Sequence, residues 1–153
     1  MLEKIGPAIT EHLVTQFAKS GGAIHDRAQV TFLPPSDAHG LSVNLYLLHV
    51  QDDPATRDAG LAGFRMRGPG ESPGIGLILT YLVTAHGSSE DEARILADVR
   101  RAVQVQPALT LDGQEVRLAI DPQPIPLNSA LWVALQSRQR PCWHLQVRLA
   151  IPS

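Results

Sequence analysis

The stretch Ile75-Gly76-Leu77-Ile78-Leu79-Thr80-Tyr81-Leu82-Val83-Thr84-Ala85 sets the first limit on the fold, because it is apolar on both faces that an extended chain presents. Leu77, Leu79, Tyr81 and Val83 fall on one side, and Ile78, Thr80 and Leu82 on the other. A strand of this kind has to be covered above and below, so it belongs at the centre of a sheet. Ser89-Glu90-Asp91-Glu92 follows with capping-box spacing: a serine hydroxyl can take an orphan amide while an acid three residues on reaches back. A helix over about Glu90 to Val105 is predicted, with Ile95, Leu96, Val99, Ala102 and Val103 as its buried stripe and Pro107 as its terminator.

The remaining elements follow from periodicity and breakers. Leu2, Ile5, Ile9, Leu13 and Phe17 recur at helical spacing, interrupted only by Gly6-Pro7 and closed by Ser20-Gly21-Gly22. Gln29 to Leu33 alternates as a short strand before Pro34-Pro35. Leu41 to Val50 reads as a long strand covered in part on two faces, and Glu115 to Ile120 as a half-exposed one after a turn at Asp112-Gly113. A short helix carrying Leu131, Trp132 and Leu135 is expected after a cap at Asn128 or Ser129. The last run puts Trp143, Leu145, Val147 and Leu149 on one face and His144, Gln146 and Arg148 on the other, as an edge or half-buried strand. The expectation is one α+β domain over residues 1–153, a single mixed sheet flanked by helices mainly on one face.

Composition excludes several functions. At 153 residues, 44% of them hydrophobic, the chain can bury a substantial core. Thirteen basic and fifteen acidic side chains leave a formal charge of −2, without the positive field that draws a protein to nucleic acid. No apolar run is long enough to span a membrane, and the N-terminus lacks the pattern of a secretory signal, so residence in the cytosol is expected.

The chemistry-bearing residues make no strong motif. None of the six histidines has the spacing of a metal-binding helix, and Cys142 opens an apolar run, where a packed thiol is the plain reading. The glycines from Gly68 to Gly76 precede a strand and include no lysine, unlike a phosphate loop. Three readings stay open from the residues alone: a structural subunit, a small-ligand or nucleotide-binding regulatory domain, and an enzyme using His86, Ser88 or Cys142. No cofactor is called for. The long segment from Gln51 to Gly74 mixes Arg57, Arg65 and Arg67 with Leu61, Phe64 and Met66, the composition of an interface hot spot. Together with the polar face of the last strand, His144, Gln146 and Arg148, these residues are the candidate protein-binding surface.

Three ordered blocks carry a resemblance. They are Val30-Thr31-Phe32-Leu33-Pro34-Pro35-Ser36 with Leu41 to Leu47; Leu77 to Ala85 with its acidic helix; and Ile125-Pro126-Leu127-Asn128-Ser129-Ala130-Leu131-Trp132-Val133-Ala134-Leu135 running into the last strand. Together they resemble the cap, or tube-terminator, proteins of phage-tail-like contractile injection systems of the virulence-cassette and antifeeding-prophage type. The resemblance implies a tail-terminator fold and a six-fold ring on the distal end of the inner tube. Its partners would be further copies of itself, the tube protein and the sheath protein, and no catalytic residue is carried over. Larger members of that family continue beyond the position of Ile151, which bears on any sheath contact such an extension makes.

Overall fold

In the computed structural model, which describes residues 2–55, 74–121, 129–137 and 140–151, the doubly apolar stretch is strand β3, Ile75–His86. It lies inside a six-stranded sheet with β1 (Val30–Thr31), β2 (Ser42–Asp52), β4 (Ala108–Leu111), β5 (Gln114–Ile120) and β6 (Cys142–Ile151). The order is β1-β2-β3-β6-β5-β4. Only β1 and β2 run parallel and the other pairs are antiparallel, so the sheet is mixed, as expected of this α+β chain.

Helix α1, Ile5–Ser20, follows a 3₁₀ turn at Leu2–Lys4 and contains Pro7 in its first turn. The missing proline N–H is harmless there, because the first amides of a helix have no internal acceptor. The 3₁₀ turn rotates Leu2 off the helix face and leaves it 46% exposed, against its expected place in the core. Ile5, Ile9, Leu13 and Phe17 are buried as the spacing requires. Gly21 ends the helix at φ 66°, a left-handed conformation that costs glycine little, and its amide returns to the Phe17 carbonyl.

Helix α2, Ser89–Val105, has the acidic first turn and buried stripe that its sequence requires, but the cap lies one residue earlier than expected. The Ser88 hydroxyl accepts from the Asp91 amide and the Asp91 carboxylate accepts from the Ser88 amide, both at 3.1 Å. Glu92 is engaged elsewhere. It is nearly buried and meets Arg140 at 3.1 Å, joining the start of α2 to the approach to β6.

The core lies between these two helices and one face of the sheet. Val43 and Leu45 of β2, Leu79, Tyr81 and Val83 of β3, Leu145, Val147 and Leu149 of β6, and Val116 and Leu118 of β5 supply the sheet side. Complete burial of each such aliphatic side chain contributes about 1.5–3 kcal/mol. Trp143 fastens β6 to α2: its indole N–H donates to the Leu96 carbonyl at 2.8 Å, and the Arg100 guanidinium lies 5.3 Å from its ring centroid.

Two strand expectations need correction. The strand expected over Gln29 to Leu33 shrinks to Val30–Thr31, because Arg27–Gln29 is a 3₁₀ turn capped by Asp26 and Leu33 pairs with the Asn44 side chain in place of a strand. Conversely, Ala108–Leu111 is an unforeseen strand forming a hairpin with β5. Its two-residue turn, Asp112 at φ 50° and Gly113 at φ 78°, has the doubly positive pattern of type I′. The short helix α3, Ser129–Ala134, stands where one was expected, and Trp132 is buried outside the helix-side core.

Candidate assembly surface

An exposed sheet edge is a row of unpaired amides and carbonyls, so the surfaces on which this fold can add a partner are found by following strand pairing. The terminal run is not such an edge. β6 is bonded to β3 along Cys142 to Ile151 and to β5 along Leu145 to Arg148, so from Leu145 to Arg148 it has a strand on both sides and no free edge. Its alternation arises because its two faces differ in cover.

The open edge belongs to β2. β1 covers only Val43 and Asn44, and beyond them the outer side of β2 has no strand partner among the described residues. A register shift between Leu47 and His49 then bends the strand. Through this bulge Leu47 and Val50 both stay on the helix-side face, opposite Tyr81 and Leu79, yet they are 43% and 48% exposed. Phe32 stands against Tyr81 edge to face, with ring centroids 6.2 Å apart, and is itself partly exposed. An apolar margin thus continues the core past the cover of the helices. The sequence shows Leu41 to Val50 only as a strand covered in part on two faces and does not show where that cover ends; the polar spacing of His49, Gln51 and Asp52 is the one sign of it.

The opposite edge, β4, is short and blunted. The Gln106 side chain donates to the Ala108 carbonyl at 3.1 Å, and Lys4 holds both Asp112 carboxylate oxygens at 3.1 Å beside the hairpin turn.

The candidate residues separate clearly. Arg57, Phe64, Arg65, Met66 and Arg67 lie outside the described residues. His144 is buried, Gln146 half-buried and Arg148 exposed. Arg148 reaches Asp53 at 3.7 Å, which directs its guanidinium along the molecule's own surface. Arg117 is its cross-strand neighbour, so two guanidinium groups share this end of the face away from the helices.

The residues once open to catalysis are placed as follows. The Ser88 hydroxyl is occupied in capping. Thr84 Oγ1 and His86 Nε2 are 3.0 Å apart in a buried pair. Cys142 lies opposite Thr84, and burial pushes its thiol above the ordinary range, which keeps it protonated at neutral pH. Among the described residues no group of three potential metal ligands comes together. An open groove of about 390 Å³ lies between α2 and the end of β5, with Arg100, Gln104, Asp121 and Trp143 in its lining. No described helix is long and apolar enough to cross a membrane.

This mixed sheet with two helices against one face is similar in fold to two solved proteins. The sheath/tube terminator of an extracellular contractile injection system, in its extended state, aligns over 95% of this chain with a TM-score of 0.59 and 13% identity. The tube-terminating cap of the anti-feeding prophage aligns over 100% with a TM-score of 0.62 and 18% identity. At these identities the likeness is one of fold, and the chain spans 56% and 55% of the length of those two proteins. The family model for the Pvc16 N-terminal domain matches residues 8–152, and the chain belongs to that family. No curated protein matches it in sequence.

Proposed function

We propose that the chain is a structural subunit of a cap that closes the inner tube of a contractile injection system, stopping tube growth and anchoring the last sheath layer. The observation that carries this reading is the shared fold, over 95–100% of the chain, with a sheath/tube terminator and a tube-terminating cap. Its partners are further copies of itself in a ring, six-fold by the resemblance, together with the tube and sheath proteins. A ring needs a heterologous contact whose rotation closes, and the open β2 edge supports this by offering main-chain hydrogen bonds beside apolar side chains. The role rests on shape and edges and requires no catalysis, cofactor or nucleic acid. Assembly takes place in the cytoplasm, before the particle is released or retained.

Electron microscopy of the purified protein, alone and with tube subunits, tests the proposal. Rings in solution or caps on tube ends are the expected result. A protein that stays monomeric and never co-purifies with tube or sheath overturns it.

A further inference from the structure

The open edge of β2 has a counterpart on the other side of the sheet, on the same rungs. Leu47 of β2 pairs with Tyr81, Tyr81 with Leu145, and Leu145 with Ile120 of β5; the next rung of that face runs Val50, Leu79, Val147, Leu118. β4 pairs with β5 only from Gln114 to Arg117, and the Pro107 carbonyl takes the Leu118 amide at 2.7 Å, so Ile120 has no strand on its outer side among the described residues. Along an antiparallel strand the main-chain groups point alternately to one side and the other. Asp121 donates to the His144 carbonyl at 2.9 Å and Asp53 to the Gly76 carbonyl at 2.8 Å. Counted from these bonds, the N–H and C=O of Ile120 turn away from β6, and those of Leu47 turn away from β3.

Beside Ile120 there is room for apolar side chains. The groove of about 390 Å³ has Ile120 and Trp143 in its lining, with Arg100 and Gln104, four residues apart on α2, along its other side. On the opposite edge Leu47 and Val50 are 43% and 48% exposed, and they occupy the same, helix-side face as Ile120. Ring symmetry brings the two edges together. Rotation about an axis along the strands preserves both level and strand direction, and β2 runs opposite to β5 because three antiparallel pairings separate them. A neighbouring copy's β2 therefore arrives antiparallel to β5, at the level of Ile120, with its apolar side chains on the groove's side.

We infer that β2 of one copy adds to the free end of β5 in the next, an inference that rests on the ring reading above. Leu47 and Ile120 exchange main-chain hydrogen bonds across this contact, and the Leu47 and Val50 side chains fill the groove between α2 and β5. The occupant is a second copy, because the chain itself presents an open edge with the face, level and direction that the groove requires. The added pairing is short, since β4 holds β5 at Arg117 and below. It is also heterologous: the two surfaces differ, so repetition builds a ring in place of a two-fold dimer.

Cysteine cross-linking of the full chain, alone and with tube subunits, tests the contact. The double variant Leu47→Cys with Ile120→Cys should give a ladder of linked subunits with a short thiol cross-linker, and either single variant should give none. Within one chain β3 and β6 hold the two positions about 14 Å apart, three strand spacings, so a shorter linker joins only neighbouring copies. Gln104→Trp fills the groove from an exposed position on α2; it should leave the circular dichroism unchanged and abolish rings. Arg101→Trp, exposed on α2 but outside the groove lining, should leave rings intact. Rings without the double-variant ladder, a ladder from Leu47→Cys alone, or rings of normal yield in Gln104→Trp overturn this contact and leave the cap reading standing. Absence of rings in electron microscopy of the unaltered chain, with and without tube subunits, defeats both.

Discussion

The carboxamide of Asn44 stands in for a strand beside Leu33: Leu33 N–H donates to Asn44 Oδ1 at 3.0 Å, and Asn44 Nδ2 donates to the Leu33 carbonyl at 2.8 Å. The Thr31 hydroxyl adds a third bond to Asn44 Oδ1 at 2.7 Å, and the amide side chain is fully buried. Asn44→Ala should therefore strand two backbone groups and a hydroxyl, costing about 3 kcal/mol in urea unfolding. Asn44→Asp should also be destabilising, because an ionised carboxylate cannot donate to the Leu33 carbonyl. A loss below about 0.5 kcal/mol for Asn44→Ala would show that water replaces the side chain readily.

The Glu92–Arg140 pair, with side chains only 12% and 16% exposed, should behave as a desolvated ion pair. Removing either partner leaves a charge without its counterpart, so Glu92→Ala or Arg140→Ala should each cost about 3 kcal/mol. Replacing both with Leu and Met should recover part of that loss. A double-mutant cycle measures the coupling, and a value near zero would contradict the pairing.

His12, on α1, is pushed below its ordinary range by burial, opposed by a hydrogen bond with the Gln106 backbone and reinforced by Lys19. Its contribution to stability should be complete above 6.5, the unfolded value, and should decline as pH falls below it. Urea midpoints at pH 7.5 and 5.5 should differ accordingly, and His12→Gln should reduce the difference. An identical difference in the variant would remove His12 from the acid response.

At the open edge, Leu47→Lys with Val50→Lys should leave the isolated subunit within about 0.5 kcal/mol of wild type, since both side chains are already largely exposed. Ring formation, followed by electron microscopy or analytical ultracentrifugation, should be lost, because inserted lysines discourage edge pairing. Rings of normal yield would place the subunit contact elsewhere.

Deletion of residues 55–72 should leave a folded monomer that assembles poorly. Circular dichroism and ultracentrifugation check the two halves of this expectation. Unfolding of the shortened chain would make the segment part of the core.

What the sequence conveyed well was cover, and what it conveyed poorly was neighbours. The two apolar sides of β3 and the stripes of α1 and α2 could be read because a side chain's burial leaves a period in its own segment. The position of β6 could not, because the alternation from Trp143 to Ile151 is the same whether a strand has one lateral partner or two. β4 was missed because Leu109 and Leu111 supply only one alternation between Pro107 and the Asp112-Gly113 turn. Ser88 and Ser89 each have an acid three residues on, and only the long-range demand of Arg140 for Glu92 decides between them. The apolar margin at Leu47 and Val50 was hidden for a related reason: composition shows that side chains are apolar, while the length of the covering helices decides whether they are covered.

The central place of β6 also sets a timetable for folding during synthesis. When the ribosome has released the chain as far as Asp121, β2 and β3 can pair, and so can β4 and β5, but these hairpins share no strand contact. The missing link is residues 142–151, which bond to β3 on one side and to β5 on the other. Until it emerges, the nascent chain holds two half-sheets with exposed inner edges, and the entropic cost of joining them falls late. Commitment to the native sheet therefore waits for the translation of β6.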